Sequence, residues 1–159
     1  MLVTNLTDSP NAVTALVCAF FIPHALASVY FMIRTLEKRL QPIILTINFI
    51  VTALFVFLVP LSQSWMIVVL LHGGLGLALG LLFPLLLAMV VQVSNKELKN
   101  SAMGFYQSFY AIGIMLGPLF AGAIAEKTNV ANAFYFCGTL AIICAIVVYK
   151  VKLYVSYPK

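Results

Sequence analysis

Long runs without a charged residue set the pattern of this chain. Residues 9–33, 40–95, 100–125 and 128–149 hold no Asp, Glu, Lys or Arg. A helix crosses a hydrocarbon core of roughly 30 Å with about 20 apolar residues, so the second run is long enough to cross twice. Pro60-Leu61-Ser62-Gln63-Ser64 interrupts it near the middle. The pattern predicts five transmembrane helices, over residues 11–33, 42–60, 65–93, 102–125 and 129–150. Membrane strands would be about ten residues long and alternate in polarity, whereas these runs are longer and apolar on every side. The expected fold class is all-α, a polytopic membrane bundle, with residues 1–159 forming one membrane domain.

Composition removes the soluble alternative. Of 159 residues 64% are hydrophobic and 8% are charged, against roughly 25% charged in a soluble domain. So few charges cannot build a polar shell, and the lipid bilayer must be the solvent. The first apolar run is too long for a cleavable signal and lacks a basic region before it. Cys18, Cys137 and Cys144 all lie inside spans and form no metal-ligand spacing, which reads as small apolar packing residues. No metal or other cofactor is expected.

The net charge of +5 would point to nucleic acid in a soluble protein; here it has a topological reading, and no nucleic-acid partner is expected. Arg34, Lys38, Arg39, Lys96, Lys99, Lys150, Lys152 and Lys159 fall on one side if the spans alternate, and only Lys127 falls on the other. Cytoplasmic loops collect Lys and Arg, which predicts an outside N-terminus and a cytoplasmic C-terminus. An odd number of spans with an outside N-terminus leads us to expect a further helix upstream.

Glycine and proline are unevenly spread over the spans. The third carries Gly73, Gly74, Gly76, Gly80 and Pro84; the fourth carries Gly104, Gly113, Gly117, Pro118 and Gly122. The second and fifth have only Gly138 between them and read as lipid-facing supports. Gly76–Gly80 and Gly113–Gly117 are small-xxx-small faces that let backbones approach closely. Hinging or packing helices set among regular ones are what alternating access needs.

The spacing in the fourth span resembles the antiporter motif of the major facilitator superfamily. Eight residues separate Gly104 from Gly113, three more lead to Gly117-Pro118, and two more to Ala121-Gly122, where the family expects Gly-Gly. Residues 95–104 resemble the loop entering that helix. Residues 34–42 are only loosely similar to the family's Gly-Asp-Arg loop, lacking its glycine and aspartate, and the third span has His72 where the fourth helix of proton-coupled drug exporters carries arginine. Both departures fit the C-terminal half of the family better than the N-terminal half. The resemblance implies helices eight to twelve of a secondary transporter in a bacterial inner membrane. It also implies export of a small-molecule substrate and partnership with the missing N-terminal helices.

Buried membrane charges mark ion and proton sites, and none lies well inside a span. The substrate-cavity candidates are therefore neutral. His24 follows Pro23, which frees a carbonyl near residue 19; it reads either as a structural bond former or as a substrate contact. His72 has the same two readings. Tyr106 and Gln107 are each in helical register with Tyr110; they could face an aromatic substrate or form an interfacial belt. Asn48 reads as an interhelical hydrogen bond. No catalytic motif such as His-Glu-x-x-His or Gly-x-Ser-x-Gly is present, so no enzyme is expected. The competing reading is a stand-alone small membrane protein that assembles through its glycine faces in a structural or regulatory role.

Overall fold

A computed structural model of the chain describes residues 10–34 and 36–155. Five helices account for nearly all of them: α1 (Pro10–Ile33), α2 (Gln41–Leu58), α3 (Trp65–Val93), α4 (Lys99–Lys127) and α5 (Val130–Val155). All five contain stretches long and apolar enough to cross a membrane. No strand occurs among the described residues.

The helix ends differ from the expected spans where the helix outlasts the apolar run. α4 begins at Lys99 and α5 continues to Val155, beyond the charges that bounded the sequence reading. Lysine is a good helix former, and its long stem lets the ammonium reach water from a helix that still touches the hydrocarbon. α2 ends earlier, at Leu58, and passes into a single 3-10 turn, Val59–Leu61. Pro60 removes an N–H there, and the Ser62 hydroxyl donates to the Leu58 carbonyl (2.9 Å), closing the frayed end. At the other end of α2, Pro42 sits in the first turn, where its missing N–H costs nothing.

Contacts between helices fix their relative directions. Ala19, Phe20, His24 and Ala27 of α1 meet Gly73, Gly76 and Gly80 of α3 in ascending order, so the two run parallel. Asn48 reaches Ala78 while Phe55 meets Gly74, so α2 runs antiparallel to α3. Phe57, late in α2, meets Tyr135 and Gly138, early in α5. Phe83 meets Tyr106 and Tyr110, which sets α4 antiparallel to α3. Each helix thus reverses the one before it, and Arg34, Lys38, Arg39, Lys96, Lys99 and Lys150 share one end of the bundle with Lys127 at the opposite end.

The core lies around α2 and α3. Leu45 packs with Leu82 and Leu85, and Val59 packs with Leu71 and Leu75, flanked by Phe20 and Phe55. The expectation that α2 is a lipid-facing support is corrected here. Ala53 is fully buried, and Gln41, Asn48 and Thr52 are buried with it on one side of the helix. The reason is geometric: α2 lies between α3 and α5, and it turns the side that carries its polar residues toward protein, Asn48 bonding to α3.

Candidate functional site

The third span uses its glycines to receive neighbouring helices. A Cβ on Gly76 would strike the backbone of Phe20, and one on Gly80 would strike the His24 carbonyl. Backbone cannot yield as a side-chain tip can, so only glycine fits at these two positions. Gly73 faces the Ala19 carbonyl at 3.6 Å, measured from where its Cβ would stand, whereas Gly74 looks the other way, onto the Phe55 ring of α2 at 2.7 Å.

Two prolines complete the α1–α3 joint. A proline leaves the carbonyl four residues earlier without its helical partner, so Pro23 frees Ala19 and Pro84 frees Gly80. The Ser28 hydroxyl of α1 donates to that Gly80 carbonyl at 2.9 Å. The freed Ala19 carbonyl is the one that faces Gly73. Both proline-containing helices thus turn their weakened backbone toward each other. Sequence reasoning missed Ser28, although Phe20, His24, Ala27 and Ser28 form one helical row that could have marked the face.

The neutral candidates fall into separate places. Tyr106 and Tyr110 stack on each other (centroids 6.4 Å apart, 20° between planes), and both meet Phe83 of α3, at 6.0 and 4.9 Å. Phe83, absent from the expected set, bridges the two helices. Tyr110 remains 46% exposed, so the cluster is an open aromatic surface rather than a filled core. Gln107 is exposed on α4. His24 stacks on Phe20 (5.7 Å) and meets the edge of Phe21 (6.4 Å). His72 Nδ1 lies 2.8 Å from the Val68 carbonyl, which can only accept, so Nδ1 is the donor in this bond within α3. Asn48 makes the interhelical bond expected of it, donating through Nδ2 to the Ala78 carbonyl at 2.7 Å.

The fourth span is the opposite of the third. Among the described residues, a Cβ added at Gly104, Gly113, Gly117 or Gly122 would meet nothing within 4 Å, and Pro118 beside them is exposed. Its glycines are present without a neighbour to receive.

The sequence model describing the Major Facilitator Superfamily matches residues 1–158. The chain belongs to the Major Facilitator Superfamily. It is a transporter-family membrane protein, and its relatives carry transport names. It is 30% identical over 142 residues to the proton-coupled antiporter flippase LtaA of Staphylococcus haemolyticus (strain JCSC1435), a match covering 85% of this chain and 34% of the relative. The LtaA proteins of Staphylococcus aureus strains MSSA476 and MRSA252 are each 26% identical over 124 residues, covering 75% of this chain and 31% of theirs. The chain therefore spans about a third of the length of these relatives. No solved structure matches it.

Proposed function

We propose that these five helices are the C-terminal part, helices eight to twelve, of a major-facilitator secondary transporter that exports its substrate. One observation carries the reading: the Gly113–Gly117 face of α4 is open, while the Gly76–Gly80 face of α3 is filled by α1. Lipid gives no reason for a helix to forgo side chains on one face. A closely approaching helix does, and the upstream helices of the same transporter are the occupant that the family supplies. The clustering of basic residues at one end supports a cytoplasmic C-terminus.

The substrate path in this reading runs past Phe83, Tyr106 and Tyr110, with His24, His72 and Gln107 as further polar contacts. An aromatic surface without a charge suits an amphiphile, and the LtaA relatives are flippases by name. We therefore narrow the exported small molecule to a lipid-like amphiphile. Their names also include proton coupling; with no carboxylate well inside these spans, the proton-carrying group belongs to the upstream helices.

Co-expression tests the proposal. The 159-residue chain is produced alone or together with the upstream helices encoded before it, and movement of a fluorescent lipid across reconstituted vesicles is followed. Transport is expected only when both parts are present. A chain that transports alone overturns the proposal. So does efficient crosslinking between two copies through a cysteine placed at Gly117, which favours the stand-alone assembly instead.

A further inference from the structure

The turn of α3 from Gly80 to Pro84 is held differently on its two sides. Gly73, Gly76, Gly80 and Pro84 lie along one face of α3, and the three glycines receive α1. Ala78, Leu82 and Leu85 lie on the opposite face, where Asn48 and Leu45 of α2 meet them. Pro84 has no N–H to give, so the helix lacks a backbone bond on the face turned to α1. Helices kink at such points. The Ser28 hydroxyl fills the gap by donating to the Gly80 carbonyl at 2.9 Å. Beyond that bond a narrow cleft lies between Phe31 and Arg34 of α1 and Leu81 and Ala88 of α3. Phe83, one residue before the proline, carries the ring that meets Tyr106 and Tyr110 of α4.

We propose that this turn is a hinge in α3 and that Ser28 is its latch. With the latch closed, α1 supplies the hydrogen bond that α3 cannot make for itself, and α3 keeps one conformation. With the latch open, the Gly80 carbonyl has no partner in an apolar surrounding, which is costly. The turn then opens on its α1 side, and the intact bonds on the α2 side act as the pivot. The part of α3 beyond Pro84 tilts away from α1 and carries the start of α2 with it through Leu45, Leu82 and Leu85. Phe83 sits inside the turn, so the same movement shifts its contact with Tyr106 and Tyr110. A hydroxyl on α1 thereby governs how α3 meets α4. The hinge belongs to the packing of these helices, and it stands or falls independently of the transport proposal.

Double electron–electron resonance tests the hinge on the 159-residue chain in lipid nanodiscs. Cys18, Cys137 and Cys144 are replaced by alanine, and spin labels are placed at Met32 and Val93, two exposed positions at the ends of α1 and α3 beyond the latch. A bend of about 20° acting from Pro84 to Val93, at about 1.5 Å per residue, moves Val93 by about 5 Å. Ser28→Ala should add a population whose labels lie further apart by that amount. Pro84→Ala gives residue 84 an N–H for the Gly80 carbonyl, so Ser28→Ala in that background should leave a single, unlengthened distance. The hinge is overturned if Ser28→Ala alone leaves the distance distribution as it was. It is equally overturned if the double variant lengthens as much as Ser28→Ala does, because lost packing between α1 and α3, and not a freed carbonyl, would then be the cause.

Discussion

At the scale of single residues, the joint between α1 and α3 depends on a hydroxyl and two missing side chains. Ser28 supplies the donor that Pro84 withholds from the Gly80 carbonyl, and a buried carbonyl without a partner is costly in lipid. Hydrogen bonds between membrane helices average about 0.6 kcal/mol, so Ser28→Ala should lower stability by roughly that amount in denaturant unfolding from mixed micelles. Gly80→Leu should cost more, about 3 kcal/mol or loss of the fold, because its side chain would enter the His24 backbone. The same assay on Gly113→Leu should show almost no change, since no described residue lies near that position. The small-xxx-small spacing of Gly76–Gly80 and Gly113–Gly117 was legible as a pair of alike faces. That one is occupied and the other open was not legible, because spacing records what a face can receive and not what stands opposite.

The helix scale shows why the spans were readable and their roles were not. A charge is expensive inside hydrocarbon, so long uncharged runs locate helices almost by themselves; the interfacial turns around Lys99 and Lys150 and the early end of α2 at Leu58 were missed. Rotation about each helix axis leaves a fainter trace, a few polar residues at helical spacing. α2 shows the consequence: its buried stripe of Gln41, Asn48 and Thr52 was present in the sequence, yet it read as a lipid-facing support because it lacks glycine. Asn48 bonds the Ala78 carbonyl (2.7 Å), whereas the buried Thr52 hydroxyl has no partner among the described residues. Opposite outcomes should follow from removing the two polar groups. Asn48→Leu should destabilise by about 0.6–1.7 kcal/mol, the range found for bonds of this kind. Thr52→Val should leave stability unchanged or raise it by up to about 1 kcal/mol, since it deletes an unsatisfied group and keeps the shape. Equal losses in unfolding measurements of both variants would show that α2 is held by shape alone.

For the whole molecule, the decisive contrast is between what α4 meets in this chain and what the proposed longer transporter would ask of it. Its motif of Gly104, Gly113, Gly117-Pro118 and Gly122 was legible from spacing and pointed to the family to which the chain belongs. The aromatic bridge through Phe83 was not, because it joins positions more than twenty residues apart whose meeting depends on how α3 and α4 cross. If the open face of α4 receives an upstream helix, then Gly117→Leu should have two different effects. In the 159-residue chain it should leave unfolding unchanged, because the new side chain meets no described residue. In the full-length transporter it should abolish transport while insertion stays normal, because the side chain would hold apart two helices that must touch during the cycle. A merely disruptive leucine would weaken both proteins alike, and an irrelevant one would weaken neither. Measuring stability and vesicle transport on the same substitution therefore separates an interface within the transporter from a glycine row that serves no partner, and full-length transport at the unsubstituted rate would remove the interface from this face.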